Sequence, residues 1–180
     1  NGTNYPSVTT VLGIRKTEQL KEWREKIGEN VANWEMGRAA RRGKSFHTLV
    51  EQYLKGETPS IRDVLPLGLF KLLKPYIDQI DNIHLLEAIM YSPKLTVAGQ
   101  VDCVAEYNGK LSVIDFKTAN KERQEDWIDN YFLQTTAYAH MYEETFGKPI
   151  EQIVILIASE DGTTQAFIKN KADYEEELGK

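Results

Sequence analysis

Leu111-Ser112-Val113-Ile114-Asp115-Phe116-Lys117, entered from Asn108-Gly109, is the stretch that decides how this chain folds. Apolar, β-branched and bounded by a dipeptide suited to a tight turn, it reads as a strand. Just upstream, Gly99-Gln100-Val101-Asp102 lies in a second strand-like segment, so the turn brings the two together. Side chains alternate along a strand, which sends Asp115 and Lys117 to one face and Phe116 into the opposite layer. Charge within an otherwise buried strand is costly without a partner. Two carboxylates and an ammonium in one small space suit a metal ion and a phosphate. An ordinary structural ion pair fits the same spacing.

Around this pair, residues 83–92, 98–107 and 110–118 read as successive strands. Residues 125–146 form an amphipathic helix closed by Gly147, with Pro149 just beyond. Another apolar strand follows over 151–159, and Asp161-Gly162 turns it into 163–169. The first third is helical in pattern. Ser7-Val8-Thr9-Thr10 offers a cap, a helix from Thr17 carries Leu20, Trp23 and Ile27, and a longer one spans 30–55 before Gly56. Residues 61–80 read as a helical region interrupted by Pro66 and Pro75. The expected architecture is α/β (α+β), a mixed central β-sheet flanked by helices with a helical N-terminal third. It is expected to be a single domain over 1–180, helical over about 5–80 and with a sheet-and-helix core over about 83–170. Trp23, Trp34 and Trp127 read as core or helix-packing anchors, although one exposed ring near a basic stretch could stack on a base.

Hydrophobic residues make up 41% and charged residues 27% of the 180, ordinary for a globular protein. No stretch approaches the ~20 apolar residues that cross a bilayer and no signal peptide is visible, so no membrane partner and an intracellular location are expected. The lone cysteine, Cys103, excludes an intramolecular disulfide and a multi-cysteine metal site, and reads as a small apolar residue beside Asp102. A net charge of −5 argues against a protein that coats nucleic acid, but leaves room for a local basic groove. Arg38, Arg41, Arg42 and Lys44 form one basic cluster, and Lys117, Lys121 and Arg123 another. The acidic run Glu175-Glu176-Glu177 lies away from both in sequence.

Further candidate groups occur in pairs. Gln134 and Tyr138 share a helix face at i, i+4, where the amide could bond a carboxylate or water and the phenol could meet phosphate or a base. A tyrosine there is equally a core residue. His47 and Glu51 form a second such pair; imidazole can complete a metal shell and Glu51 could orient it, or the two are a surface pair. Gly43, one turn earlier, would let a backbone or a nucleic-acid strand approach closely. Glu87, on the strand before Asp102, is either an additional acidic ligand or a partly exposed strand carboxylate. His84 and His140 have no such context and read as structural or exposed.

The ordered set of His47, Gly99-x-x-Asp102, Asp115-x-Lys117 and Gln134-x-x-x-Tyr138 resembles the PD-(D/E)XK nuclease superfamily, in its RecB-type branch. Tyr5–Leu12 and Arg42–His47 are similar to the mitochondrial genome maintenance exonuclease group and its phage relatives. The resemblance implies His47, Asp102, Asp115 and the Phe116 backbone carbonyl as metal ligands, with Glu51 and Glu87 as lesser neighbours. It implies Lys117 as the catalytic lysine, with Gln134 and Tyr138 supporting the site. The implied cofactor is Mg2+ or Mn2+, with no iron-sulfur cluster, since relatives that carry one need four cysteines. A helical arch that threads single strands occurs in some relatives, and the N-terminal helices could build one.

The resulting expectation is a Mg2+- or Mn2+-dependent DNA exonuclease acting on single-stranded ends in DNA replication, repair or recombination. Arg38, Arg41, Arg42, Lys44, Lys121 and Arg123 would contact DNA. Recombination or replication proteins are the implied partners. The location would be the cytoplasm of a bacterial or phage-infected cell, or the mitochondrial matrix of a eukaryote. A structure-specific endonuclease and an inactive nuclease fold serving as a DNA-binding module are the rival readings.

Overall fold

The computed structural model describes residues 17–94, 96–123 and 129–172, with the backbone alone over 17–20. The described elements run α1 (Thr17–Ile27), α2 (Glu29–Leu54), α3 (Val64–Ile77), β1 (Ile80–Ser92), β2 (Val97–Tyr107) and β3 (Lys110–Ala119). They continue with α4 (Asp129–Phe146), β4 (Gln152–Ser159) and β5 (Thr164–Asn170). The expected cap at Ser7–Thr10, the Tyr5–Leu12 segment, the start of the 125–146 helix with Trp127, and the acidic run at 175–177 lie outside the described residues.

The strands form one mixed sheet in the order β1-β2-β3-β4-β5. Asn108 and Gly109 have φ of 52° and 82°, the two left-handed positions of a type I′ hairpin turn, and they fold β3 antiparallel onto β2. β3 and β4 are parallel, so the chain must cross over between them, and α4 makes that crossing. All of Gln152–Ser159 is buried, which explains its almost unbroken apolar run: it is covered on both faces. On one face, Phe46 and Leu49 of α2 and Leu69 and Leu73 of α3 pack on Cys103, Ile114, Phe116 and Leu156. On the other, Ala137, Tyr138 and Met141 of α4 pack on Val101, Val104 and Val113. The result is a helix–sheet–helix sandwich.

Two expectations are corrected. Residues 64–77 form one helix despite both prolines. Pro66 occupies the first turn, whose N–H groups have no partner in any helix. Pro75 deprives the Lys71 carbonyl of its donor, yet the ladder continues beyond it, with the Asp78 N–H donating to the Lys74 carbonyl at 2.9 Å. Residues 61–63 are not helical, and β1 starts at Ile80. Trp23 and Trp34 are not core anchors: they are 36% and 59% exposed. The apolar interior of this face comes instead from Phe46, Leu49 and α3.

Candidate active site

The β2–β3 ladder runs from Tyr107 opposite Lys110 to Cys103 opposite Ile114, and stops there. One step further, Asp102 stands level with Asp115. Beyond this point β2 is paired with β1, and β3 with β4. The two carboxylates therefore sit where the sheet opens, and the Asp102 carboxylate takes over from the lost ladder: its Oδ2 accepts the Phe116 N–H at 2.8 Å. Like charges directly opposite across a pair are destabilising, so the arrangement is not one that stability alone would favour.

Helices supply the rest. From α2, His47 places Nε2 3.0 Å from Asp102 Oδ2, while its Nδ1 lies 2.8 Å from the Gly43 carbonyl. Lys117 Nζ lies 3.0 Å from Asp115 Oδ2 and donates to Gln134 Oε1 at 3.0 Å. Gln134 Nε2 donates to the Tyr138 hydroxyl, also at 3.0 Å. The Tyr131 ring covers the same ammonium at 4.7 Å. Gln134 and Tyr138 are thus an internal brace for Lys117. Tyr138 is 4% exposed, so its ring packs in the core and offers no face to a base.

The electrostatics follow from this crowding. Burial works against charge on Asp102, but the His47 hydrogen bond prevails and holds its pKa low. Burial likewise works against protonated His47, yet Asp102 raises it to about 9, which makes the ring a donor to the carboxylate. Asp115 moves up, because burial dominates and Asp102 adds repulsion that Lys117 only partly offsets. Lys117 is raised in spite of its burial by the charge of Asp115. Cys103 is a buried thiol, pushed up to about 12 mainly by desolvation, which fits its packing role.

Other sequence candidates are placed differently. Glu51 does not orient His47; it pairs with Lys55 at 2.7 Å, and the Gly43 carbonyl takes the imidazole instead. Gly43 itself gives no unusually close approach, since a Cβ there would meet Thr118 Oγ1 at an ordinary 3.8 Å. Glu87 lies level with Asp102 on β1, between Leu86 opposite Cys103 and Ala88 opposite Val101. Its φ of 50° is rare for a strand residue, and burial followed by the nearby Asp102 pushes its carboxyl up to about 7. His84 meets the Tyr142 hydroxyl at 3.1 Å, and His140 lies 3.9 Å from Glu143.

The basic cluster is divided. Arg42 is not a surface DNA contact: it is 7% exposed, and its guanidinium donates to Thr118 Oγ1, Asn120 Oδ1 and Glu160 Oε2. Arg38 donates to Glu160 Oε1 at 3.0 Å and rests over Trp34 at 5.7 Å. Arg41, Lys44 and Lys121 are exposed, and Arg123 is half-buried. Glu160, Asn120, Thr118 and Tyr131 are missed by the sequence reading. Glu160 sits in what looks like a plain turn before Asp161-Gly162, and no spacing connects it to α2.

Two outcomes follow locally. Tyr131→Leu should lower stability by about 1 kcal/mol in denaturant unfolding, the loss of a cation–π contact, while Tyr131→Phe should retain most of it. Equal stabilities for Leu and Phe would dismiss the ring's role. For Glu160, burial alone would raise the pKa, but hydrogen bonds from Arg38 and Arg42 prevail and hold it below the ordinary 4.5. A carboxyl depressed in the folded state stabilises above its unfolded pKa and ceases to do so as pH falls through its folded value. Below roughly pH 5, thermal melts of the wild type should therefore decline more steeply than those of Glu160→Gln. At neutral pH the variant should be less stable by about 2 kcal/mol.

A hard cation fits these residues. Asp115 Oδ2 is buried, and although Lys117 lies within ion-pair distance, no aligned hydrogen bond reaches that oxygen. Among the described residues no three His, Cys, Asp or Glu side chains already converge as a ready-made cage. Asp102 and Asp115 alone would suffice for a cation such as Mg2+, which keeps several waters and needs only one or two carboxylates.

A mixed sheet that opens between two aspartates, with a lysine beside them braced from a crossover helix, could hold a hard cation next to a phosphate. The chain belongs to the PD-(D/E)XK nuclease superfamily, whose family model matches residues 16–180. Among curated proteins it is similar to mitochondrial genome maintenance exonuclease 1 of Homo sapiens, 31% identical over 173 residues that cover 88% of this chain and 50% of the relative. The same exonuclease of Xenopus tropicalis is 30% identical over 181 residues, covering 91% and 50%. The chain thus spans about half the length of the curated relatives it matches. A crystal structure from Eubacterium rectale, described as a candidate exonuclease, aligns with TM-score 0.48 and 13% identity over 76% of this chain and 62% of that one.

Proposed function

We propose that the protein is a divalent-metal-dependent DNA exonuclease that degrades single-stranded ends, serving DNA replication, repair or recombination. The observation that carries this reading is the pair Asp102 and Asp115, level with each other where the β2–β3 ladder ends, with Lys117 Nζ 3.0 Å from Asp115. The exonuclease relatives support the choice of DNA and of ends as substrate. Asp102 and Asp115 would hold Mg2+ or Mn2+, aided by the Phe116 carbonyl and by His47 once its proton has left. Bound there, the ion would supply charge neutralisation at the scissile phosphate and a more acidic water.

The protein's own groups then divide the work. Lys117, fixed by Gln134 and Tyr131, presents an ammonium to the charge that builds on phosphate oxygens. Asp115, level with Asp102 and 3.0 Å from the Lys117 ammonium, is placed to hold the ion beside that cation. Until the ion binds, His47 holds the Asp102 carboxylate in place. Exposed Arg41, Lys44 and Lys121 would neutralise backbone phosphates, with Arg38 and Arg123 at the margin.

End-labelled and circular single-stranded DNA, each with Mg2+, Mn2+ or chelator, test the proposal. Loss of the linear strand only, and only with metal, is the expected result. Cutting of the circle would make it an endonuclease, and inertness on both together with retained DNA binding would make it a binding module.

A further inference from the structure

We infer that Glu160 and Arg42 are positioning residues for His47, forming a clamp that sets α2 against the strand bearing Asp115 and Lys117. The inference rests on the nuclease reading for its catalytic consequence and on geometry alone for its structural one. Arg42 is nearly buried, and its three polar partners come from two places. Thr118 Oγ1 accepts from Nε at 3.1 Å and Asn120 Oδ1 from Nη1 at 2.6 Å, both just past Lys117 in the chain. Glu160 Oε2 accepts from Nη1 as well, and its other oxygen takes Arg38 at 3.0 Å, one turn earlier on α2. Glu160 is itself fixed, because its N–H donates to the Ala119 carbonyl at 2.9 Å.

The connection to chemistry is short. Gly43, next to Arg42, offers the carbonyl that holds His47 Nδ1, and the opposite ring nitrogen meets Asp102. The path Glu160–Arg42–Gly43–His47–Asp102 therefore joins a turn after β4 to a site carboxylate through contacts that all appear in the structure. A buried arginine is held by acceptors, and removing the Glu160 charge leaves a guanidinium that must shift toward water. A shift of about 1 Å along α2 would separate His47 from Asp102, and misplacements of that size can slow an enzyme about 100-fold.

Arg42→Lys, Glu160→Gln and the double variant form the test, read two ways. With a single-stranded oligonucleotide and Mg2+, each variant should lose about 10- to 100-fold in kcat with KM changed less than about twofold, and the double should be no worse than the poorer single. In the metal-free protein, proton NMR should show the hydrogen-bonded His47 Nε2–H in the wild type and its broadening or loss in each variant. The second readout needs no nuclease activity, so it decides the clamp even if the wild type cuts nothing. A wild-type His47 signal in Glu160→Gln, or a rise in KM at unchanged kcat in Arg42→Lys, would overturn the inference, the latter making Arg42 a DNA contact. Should Glu160→Gln fail to fold, Asn120→Ala removes another acceptor with the ion pair intact and is read by the same two signals.

Discussion

Asp115→Asn is expected to lower phosphodiester cleavage by about 10^4-fold or more, because the uncatalysed reaction is among the slowest known and the carboxylate is central to the site. In the metal-free protein the same substitution acts in two opposing ways. Asp115 has its pKa raised in the folded state, so its ionisation weakens the fold as pH rises, and a neutral amide removes its repulsion with Asp102. The amide also removes the anion beside the buried Lys117 ammonium. Lys117→Met should abolish cleavage to a similar degree and give the lower melting temperature of the two, since it leaves both Asp115 and Asp102 without their cation. Labelled-strand assays and melts in chelator measure both. A melting temperature for Lys117→Met at or above that of Asp115→Asn would contradict this account of the site.

Gly99→Ala is the second large effect. A Cβ at this position would lie 2.6 Å from Cε1 of the Tyr138 ring and 3.3 Å from its hydroxyl. The ring is buried and cannot swing into solvent, so the backbone of β2 or the axis of α4 must give, at about 2–3 kcal/mol. Catalysis should decline too, because Tyr138 supports Gln134 and Gln134 holds Lys117. Denaturant unfolding of Gly99→Ala, Tyr138→Leu and the double variant checks the cause. The double should be more stable than the sum of the singles predicts, since leucine vacates the space that the new methyl enters. Strict additivity would mean that the contact is not the source.

These two residues also show what could be read in the chain beforehand. Gly99, Asp102, Asp115 and Lys117 lie within 20 residues on one hairpin, and Asn108-Gly109 dictates how that hairpin closes. The run Ile153–Ala158 likewise has no reading but a buried strand. Arg42 was illegible because an arginine on a helix looks the same whether it meets water or an acid. Its partner Glu160 is 118 residues away. Pro75 misled because a proline removes one N–H and crowds the carbonyl four residues back without always ending the helix: here the Asp78 N–H still bonds the Lys74 carbonyl beyond it. Tyr131 is one more aromatic on a helix until Lys117 is seen beneath it.

The two-residue turn at Asn108-Gly109 also bears on how the molecule comes together in time. Short-range hairpins close within microseconds, well before a parallel crossover or a helix from the other end of the chain can dock. Asp102 and Asp115 therefore meet early, in a piece of chain that contains neither His47 nor Gln134. Within the nascent hairpin only Lys117, on the same strand as Asp115, offsets the repulsion between them, until α2 and α4 settle. An added residue in that turn would be harmless only if Tyr107 stayed opposite Lys110; a one-residue slip of the register would instead turn one aspartate to the wrong face of the sheet.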